Sequence, residues 1–446
     1  MPLVTAIPIL TKTLGLASER LAVRAAYCGW LVFYLSGLGG RALPLLLRRL
    51  GLVWVVAVCA GLSGCAAMLV HNGIGDSRLA AKATVAGMPG VRFWADEAPR
   101  DVVAEAHRRL PNLPRLAQNS TLFDGRPIVE TLALSGGGGD GAFGAGVLTG
   151  WTERGDRPEF EIVSGVSAGA IIAPFAFLGP KYDPQLKEIW TQYQTNEVVI
   201  SSILPGLLGG PALADNAPLV GLIAQYVDKK MLRAVAHEYA RGRLLLVLTT
   251  NLDAQRPVVW NMGEIARHGS EDALELFRKV ILASAAIPGA LPPVSIPVVA
   301  DGKAFDELHV DGGTTREVFV LPVQAPFKAF DPLYPAPPVR KLYIIKNGKV
   351  VPESEITKPK AVSIAARAIL TLTKNQNMLE LYRIHRLAQD AGAQFNLLAI
   401  PPSFTKKANE FFDPDYQSAL FDEGRRIGRN GGPWMHKPMT GVATVH

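Results

Sequence analysis

The hydrophobic positions divide the chain into three regions. From Leu50 to Gly75 there are 26 residues without a formal charge, and Ala25–Gly40 is a second apolar stretch held between Arg24 and Arg41. Residues 76–127 are polar and broken by Pro89, Pro99, Pro111, Pro114 and Pro127, which predicts a tether with one helix near Val102–Leu110. From Ile128 the pattern changes to short apolar runs alternating with helical periodicity. Ile128–Ser135 predicts a buried strand, followed by a glycine loop and a helix from about Gly141. Phe160–Val163 predicts another strand, then a tight turn and an apolar helix over Ala168–Phe177. Leu244–Asn251 and Lys341–Ile345 read as strands rich in Leu, Val and Ile, and Asp272–Ala283 and Val362–Leu387 as helices. Strands alternating with helices imply an α/β domain on a mostly parallel sheet covered on both faces.

Composition narrows the class. At 446 residues, 48% hydrophobic and 19% charged, the chain holds enough apolar material for one large core with appendages, and too much for a disordered protein. Its 43 glycines and 33 prolines show no period, which excludes fibrous classes. The net charge of +7 is concentrated in the first 64 residues, where Lys12, Arg20, Arg24, Arg41, Arg48 and Arg49 face only Glu19; the other 382 residues carry +2. With no basic patch interleaved with aromatics, a nucleic-acid partner is not expected. Cys28, Cys59 and Cys65 are the only cysteines, so the rest of the chain has neither a disulfide framework nor a thiolate metal site. No metal or cofactor is expected.

Arg48-Arg49, the apolar run Leu52–Gly61 and the ending Leu62-Ser63-Gly64-Cys65-Ala66 have the layout of an export signal. The Leu-Ser-Gly-Cys ending resembles a bacterial lipobox, which implies that Cys65 becomes the lipidated first residue of the mature chain. The uncharged Ala66 after it then goes with delivery to the outer membrane. The alternative is a transmembrane anchor over residues 50–70, since about 20 apolar residues suffice to span a bilayer. The 47 residues ahead of Arg48 imply either a translation start downstream of Met1 or a second anchor.

The chemistry-bearing residues lie further on. In Ser135-Gly136-Gly137-Gly138-Gly139-Asp140-Gly141-Ala142-Phe143-Gly144, glycines free to take positive φ can aim several N–H groups at one point, holding a phosphate or a developing oxyanion. A dinucleotide-binding turn competes with this reading, but it wants an acid at the end of the second strand. That strand ends instead in Gly165-Val166-Ser167-Ala168-Gly169, a G-x-S-x-G between a strand and a helix, as a nucleophile elbow requires. A serine N-cap on a glycine-bounded helix is the plainer reading of the same residues. Candidate bases are Asp311, at a strand end before Gly312-Gly313, His309 two residues earlier, and His385 on a predicted helix.

The glycine run, the elbow and Asp311-Gly312-Gly313, in that order, resemble the patatin-like phospholipase family. The resemblance extends over about Ile128–Pro401 and includes Ala283-Ser284-Ala285-Ala286-Ile287-Pro288. It implies a three-layer α/β fold with a central mostly parallel sheet. It also implies a Ser167–Asp311 dyad without histidine that hydrolyses acyl esters of lipids, and an oxyanion hole formed by N–H groups around Gly136, Gly137, Gly138 and Gly139. The sequence departs from the family at Asp140, where the family usually carries Lys or Arg. An aspartate titrating near 3.9 is a poor base at neutral pH, so the site must raise that value or rely on orientation.

The expected organisation is a leader or anchor over 1–64, a lipidated N-terminus and tether over 65–127, a catalytic domain over 128–401, and a C-terminal extension over 402–446 packing on that domain. The expected partners are a membrane phospholipid or lysophospholipid and the membrane surface. Ile203–Ile223, apolar and kinked by Gly and Pro, is expected to cover the core or to form a lid that includes Leu207 and Leu208. Two other functions fit less of the sequence: an esterase with a Ser–Asp–His triad using His385, and an anchored lipid-binding scaffold.

Overall fold

The computed structural model describes residues 71–97, 121–198, 200–201, 214–320, 327–410 and 412–438, with isolated positions 104, 115, 118 and 212. The chain divides into two compact units, Met1–Leu69 and Val70–His446, and every described residue belongs to the second. The leader, Cys65, almost all of the helix predicted near Val102–Leu110, and Leu207 and Leu208 of the expected lid lie outside the described residues. Among the described residues no helix is long and apolar enough to cross a membrane.

The main sheet contains β1 (Arg92–Trp94), β2 (Arg126–Leu134), β3 (Ile162–Val166), β4 (Leu244–Asn251), β5 (Arg256–Asn261), β6 (Val294–Ala300), β7 (Lys303–Asp311), β8 (Val339–Lys346) and β9 (Gln394–Ala399). The helices that frame it are α1 (Ser77–Lys82), α2 (Gly141–Arg154), α3 (Ala168–Leu178), α4 (Asp183–Thr191), α5 (Ala217–Tyr226), α6 (Lys229–Ala240), α7 (Met262–His268), α8 (Glu271–Ser284), α9 (Ala361–Ala391) and α10 (Pro414–Arg429). The strand order is β1-β5-β4-β3-β2-β8-β9, and β7 pairs with both β4 and β6. From β4 through β9 the ladder is parallel; β1, β5, β6 and β7 join antiparallel. The fold is therefore three-layered α/β with a largely parallel centre.

Successive residues of the central strands serve opposite cores, which is why these strands read as continuous apolar runs. Leu132, Leu134, Leu245 and Val247 pack with residues of α2, α3 and α8. Ala133, Leu342, Ile344 and Leu397 pack instead with Leu381, Ile384 and Ala388 of α9. The expectation of a tether from residue 76 is corrected over residues 77–97. Asp76 caps α1 by accepting from the N–H groups of Arg78 and Leu79, and β1 extends the sheet next to β5. What hid this strand is a buried charge: Arg92 donates to Glu307 of β7 at 2.9 Å and to the Ala83 carbonyl at 3.0 Å. The pair makes a polar residue fit the interior.

Beyond β9, α10 lies across α2 at backbone contact. A Cβ on Gly146 would come within 2.1 Å of the Phe421 carbonyl oxygen, and one on Gly428 within 2.2 Å of the Val147 carbonyl oxygen. Gly150 and Gly424 occupy equivalent places in the same seam. Gly150→Val is expected to lower unfolding stability by about 1–3 kcal/mol through overpacking, read as a fall in the thermal midpoint.

Candidate active site

The site forms where β3 and β7, running in opposite directions, meet end to end along one edge of β4. Val166, the last residue of β3, pairs with Leu248, and Asp311, the last of β7, pairs with the next residue, Thr249. The residue that leaves β3 is therefore delivered beside the end of β7, and that residue is Ser167.

Ser167 turns between β3 and α3 with φ 54° and ψ −121°, a backbone conformation few non-glycine residues adopt and one that costs of order 1–3 kcal/mol. The flanking turn allows it because Gly165 and Gly169 pass against backbone, where a Cβ would lie 2.3 Å from the carbonyl oxygens of Gly169 and Leu134 respectively. The Ser167 N–H donates to Ser284 Oγ at 2.9 Å, and the Ser284 hydroxyl donates to the Leu248 carbonyl at 2.7 Å. Two residues on, the Ala286 carbonyl accepts from the Asp311 N–H at 2.9 Å. One short turn after α8 thus holds the backbones of both Ser167 and Asp311. Gly312 packs against that same Leu248 carbonyl, and Gly313 donates its N–H to Asp311 Oδ1 at 2.7 Å.

The Ser167 hydroxyl lies near enough to the Asp311 carboxyl to lower its proton affinity, and both residues are only 6% exposed. Burial pushes the Asp311 carboxyl from an ordinary 3.8 up to about 7; the bonds from Ser167 and the Gly313 N–H pull it down, and the charge of Glu317 adds to the rise. Burial and a neighbouring like charge meet the requirement for a base near neutrality.

The glycine loop arches over the same point. Gly136 lies against Ser167, where a Cβ would be 3.1 Å from the serine Cβ. Its N–H donates to the Glu317 carbonyl at 3.1 Å, so this member of the expected donor set is already engaged. The N–H groups of Gly137, Gly138 and Gly139 form no hydrogen bond among the described residues. Gly138 takes φ 56°, and Gly137 passes so close to the Asn347 carbonyl that a Cβ would lie 2.0 Å from its oxygen. Asn347 fastens the loop: its N–H donates to Ser135 Oγ and its carboxamide to the Ser135 carbonyl, both at 2.8 Å, while Oδ1 accepts from Gly144 at 3.0 Å.

Asp140, at the N-cap of α2 where the resemblance leads one to expect a cation, accepts from the Tyr416 hydroxyl of α10 at 2.6 Å. Burial raises its carboxyl to about 6. Lys346 pairs with Glu317 at 2.6 Å, and its charge, with that of Lys349, lowers the proton affinity of Asp140. Gly141 sits at the start of α2, packed on Trp190.

Neither candidate histidine forms a hydrogen bond with Ser167 or Asp311. His309 is fully buried, with Nδ1 on Thr249 Oγ1 at 2.9 Å and Nε2 on Glu307 at 3.1 Å, and burial lowers its proton affinity. His385 packs edge-on against Phe395 of β9, at the far edge of the sheet. Ser284, quoted in the sequence only within the Ala283–Pro288 stretch, and Asn347 are the residues to which sequence reasoning gave no role. The only signal for Asn347 was a polar residue at the carboxyl end of a strand, where open α/β sheets place their ligands.

An α/β sheet with a serine elbow and a glycine loop at the carboxyl ends of parallel strands defines the class. Residues 132–323 match the family described as patatin-like phospholipase, and this segment is a patatin-like phospholipase domain. Lipid hydrolysis is the activity the family implies. No curated protein matches the chain. Among solved structures, VipD from Legionella pneumophila is similar at 10% identity over 70% of this chain and 69% of that one, with a TM-score of 0.32.

The buried Asp311 makes a linkage prediction. Between about pH 4 and pH 7 the folded chain retains a proton that the unfolded chain has released, so this group's contribution to stability falls as pH rises through that window. Asp311→Asn is expected to stabilise the fold by about 1–3 kcal/mol at pH 8 relative to its effect at pH 4, measured by denaturant unfolding at the two values.

Proposed function

We propose that the chain hydrolyses acyl esters of membrane lipids, in the manner of a phospholipase A or lysophospholipase, with Ser167 as nucleophile and Asp311 as base. The observation that carries this reading is Ser167 at a strained elbow beside the buried Asp311 carboxyl, with the glycine loop packed on it at Gly136 and the N–H groups of Gly137, Gly138 and Gly139 unengaged among the described residues. As Ser167 Oγ bonds to the ester carbonyl carbon, its proton passes to Asp311 and the carbonyl oxygen becomes an oxyanion. The N–H groups of Gly137, Gly138 and Gly139 receive that charge without reorganising, and donors of this type contribute about 2.7–4 kcal/mol each. Collapse expels the alcohol, which takes the proton from Asp311 and leaves an acyl-serine. Water then attacks the acyl carbon, gives a proton to Asp311, and Ser167 recovers it as the fatty acid departs.

The export-signal layout ending at Cys65 supports a lipid-anchored enzyme at a bacterial outer membrane, the leader over 1–64 being removed. Detection of a diacylglyceryl adduct on Cys65 by mass spectrometry tests that placement, and an intact residue 1–64 segment in the mature chain points to the transmembrane anchor instead.

Fluorophosphonate is expected to label the wild-type chain at Ser167. Ser167→Ala and Asp311→Asn are expected to lose both labelling and turnover of a short-chain ester, and esterase activity surviving in Ser167→Ala overturns the assignment. The carboxylate form of Asp311 is the active one, so kcat/KM is expected to rise with pH to a plateau above about 7. Ser284→Ala removes the acceptor of a buried N–H at the strained elbow. A kcat about tenfold lower with KM unchanged is expected from it, since a misplaced Ser167 slows the chemical step while the substrate contacts are kept.

A further inference from the structure

We propose that the outward face of α9 docks on an anionic lipid bilayer, with the helix lying in the plane of the interface; this deepens the lipid-hydrolase reading and rests on it. The helix is 31 residues long, and Asn377, Leu381, Ile384 and Ala388 form the stripe it buries against the body. On the opposite side, Ile364, Ala365, Ala368, Ile369, Leu372 and Leu379 fall within an arc of about 140° at 3.6 residues per turn. These are not scattered surface residues: Ile364 is 53% exposed, Ile369 62%, Leu372 71% and Leu379 70%. A helix on a globular surface normally turns its polar side outward. Over Ile364–Leu372 the solvent side is the apolar one, with the polar Asn375 and Gln376 following on the same side and Leu370, 62% exposed, on the side towards the body; a contiguous exposed apolar face marks an interaction surface.

Charge selects the occupant. From Ile356 to Leu379 the chain carries Lys358, Lys360, Arg367 and Lys374 and no acid. Arg367 and Lys374 turn towards Glu355 and Glu353 at 3.5 Å and 3.2 Å, leaving Lys358 and Lys360 beside the 95%-exposed Ile356 at the start of the helix. With Glu353 and Glu355 neutralised by Lys374 and Arg367 and no acid within Ile356–Leu379 itself, the face complements anionic headgroups over acyl chains, each Lys or Arg near such a surface contributing favourably. A second copy of the same face would set lysines against lysines. The helix is not apolar enough to span a membrane, which leaves the interfacial orientation. It is also fastened to the site, because the Gln376 carboxamide donates to the Thr315 carbonyl and the Thr315 hydroxyl donates to the Gly312 carbonyl at 3.1 Å. A bilayer seated on α9 therefore lies next to the turn that carries Asp311.

The test uses the full chain with Cys28, Cys59 and Cys65 replaced by Ser and a nitroxide placed on Leu372→Cys. On vesicles containing about one third phosphatidylglycerol in phosphatidylcholine, the label is expected to gain collisions with oxygen and to lose them with a water-soluble nickel complex, each several-fold. Pure phosphatidylcholine vesicles are expected to leave both unchanged. The proposal is overturned if the protein stays off the anionic vesicles, if it binds them with the label still in water, or if the label is already immobilised before vesicles are added, as a second copy or another segment covering the face would make it. In parallel, Ile369→Ser/Leu372→Ser/Leu379→Ser is expected to lower turnover of anionic vesicle lipid about tenfold and to keep turnover of a soluble short-chain ester. A wild-type chain inert on the soluble ester sinks the hydrolase reading, while the nitroxide reports docking independently of it.

Discussion

The arrangement at the edge of β4 is the constraint on which the site depends. A parallel strand, β3, stops after pairing Val166 with Leu248, and an antiparallel strand, β7, takes over the same edge by pairing Asp311 with Thr249. Two strands cannot occupy one stretch of ladder, so each must end where the other begins. The two chain ends are thereby brought together without a long loop to position either. The break also frees the Leu248 carbonyl from the ladder, and the Ser284 hydroxyl takes it while receiving the Ser167 N–H. Hydrogen-bond satisfaction at the discontinuity and placement of Ser167 are the same set of contacts.

That economy explains how a strained serine and a buried carboxyl persist together. The elbow conformation and the desolvated Asp311 are each unfavourable, and the surrounding body offsets both: cores on both faces of β3 and β4, the Ala283–Ala286 turn, and the Asn347 bonds that hold the glycine loop overhead. Local unfavourable geometry of this kind survives only where the neighbours over-determine it.

Much of this was legible in the sequence, for identifiable reasons. Ile128–Ser135, Leu244–Asn251 and Lys341–Ile345 are buried on both faces and so read as unbroken apolar runs that correspond to β2, β4 and β8 within a residue or two. Ser167 and Asp311 were visible because a glycine-flanked serine and a strand-end Asp-Gly-Gly carry side-chain signatures. The antiparallel half was less visible. β1 buries Arg92 against Glu307, and β5 begins with Arg256-Pro257, so neither shows the apolar run or alternation that marks a strand. At the site, the hub is a main-chain carbonyl at Leu248, and a backbone atom has no sequence signature. Asn347 is one polar residue among many until the register of β8 beside β2 places it under Ser135.

The contact between α2 and α10 bears on where the working unit of this chain ends. The segment that matches the patatin-like family runs from residue 132 to residue 323, yet the roof of the glycine loop is completed by Asn347, and Asp140 is held by Tyr416 from a helix that ends at Arg429. The seam of glycines leaves α2 no side chains with which to fill the space that α10 occupies. An excised segment bounded by the family match would therefore retain Ser167 and Asp311 and lose Asn347 and Tyr416, which hold the glycine loop and Asp140. Inheritance marks one boundary in this chain and mechanical integrity marks another, about a hundred residues further on.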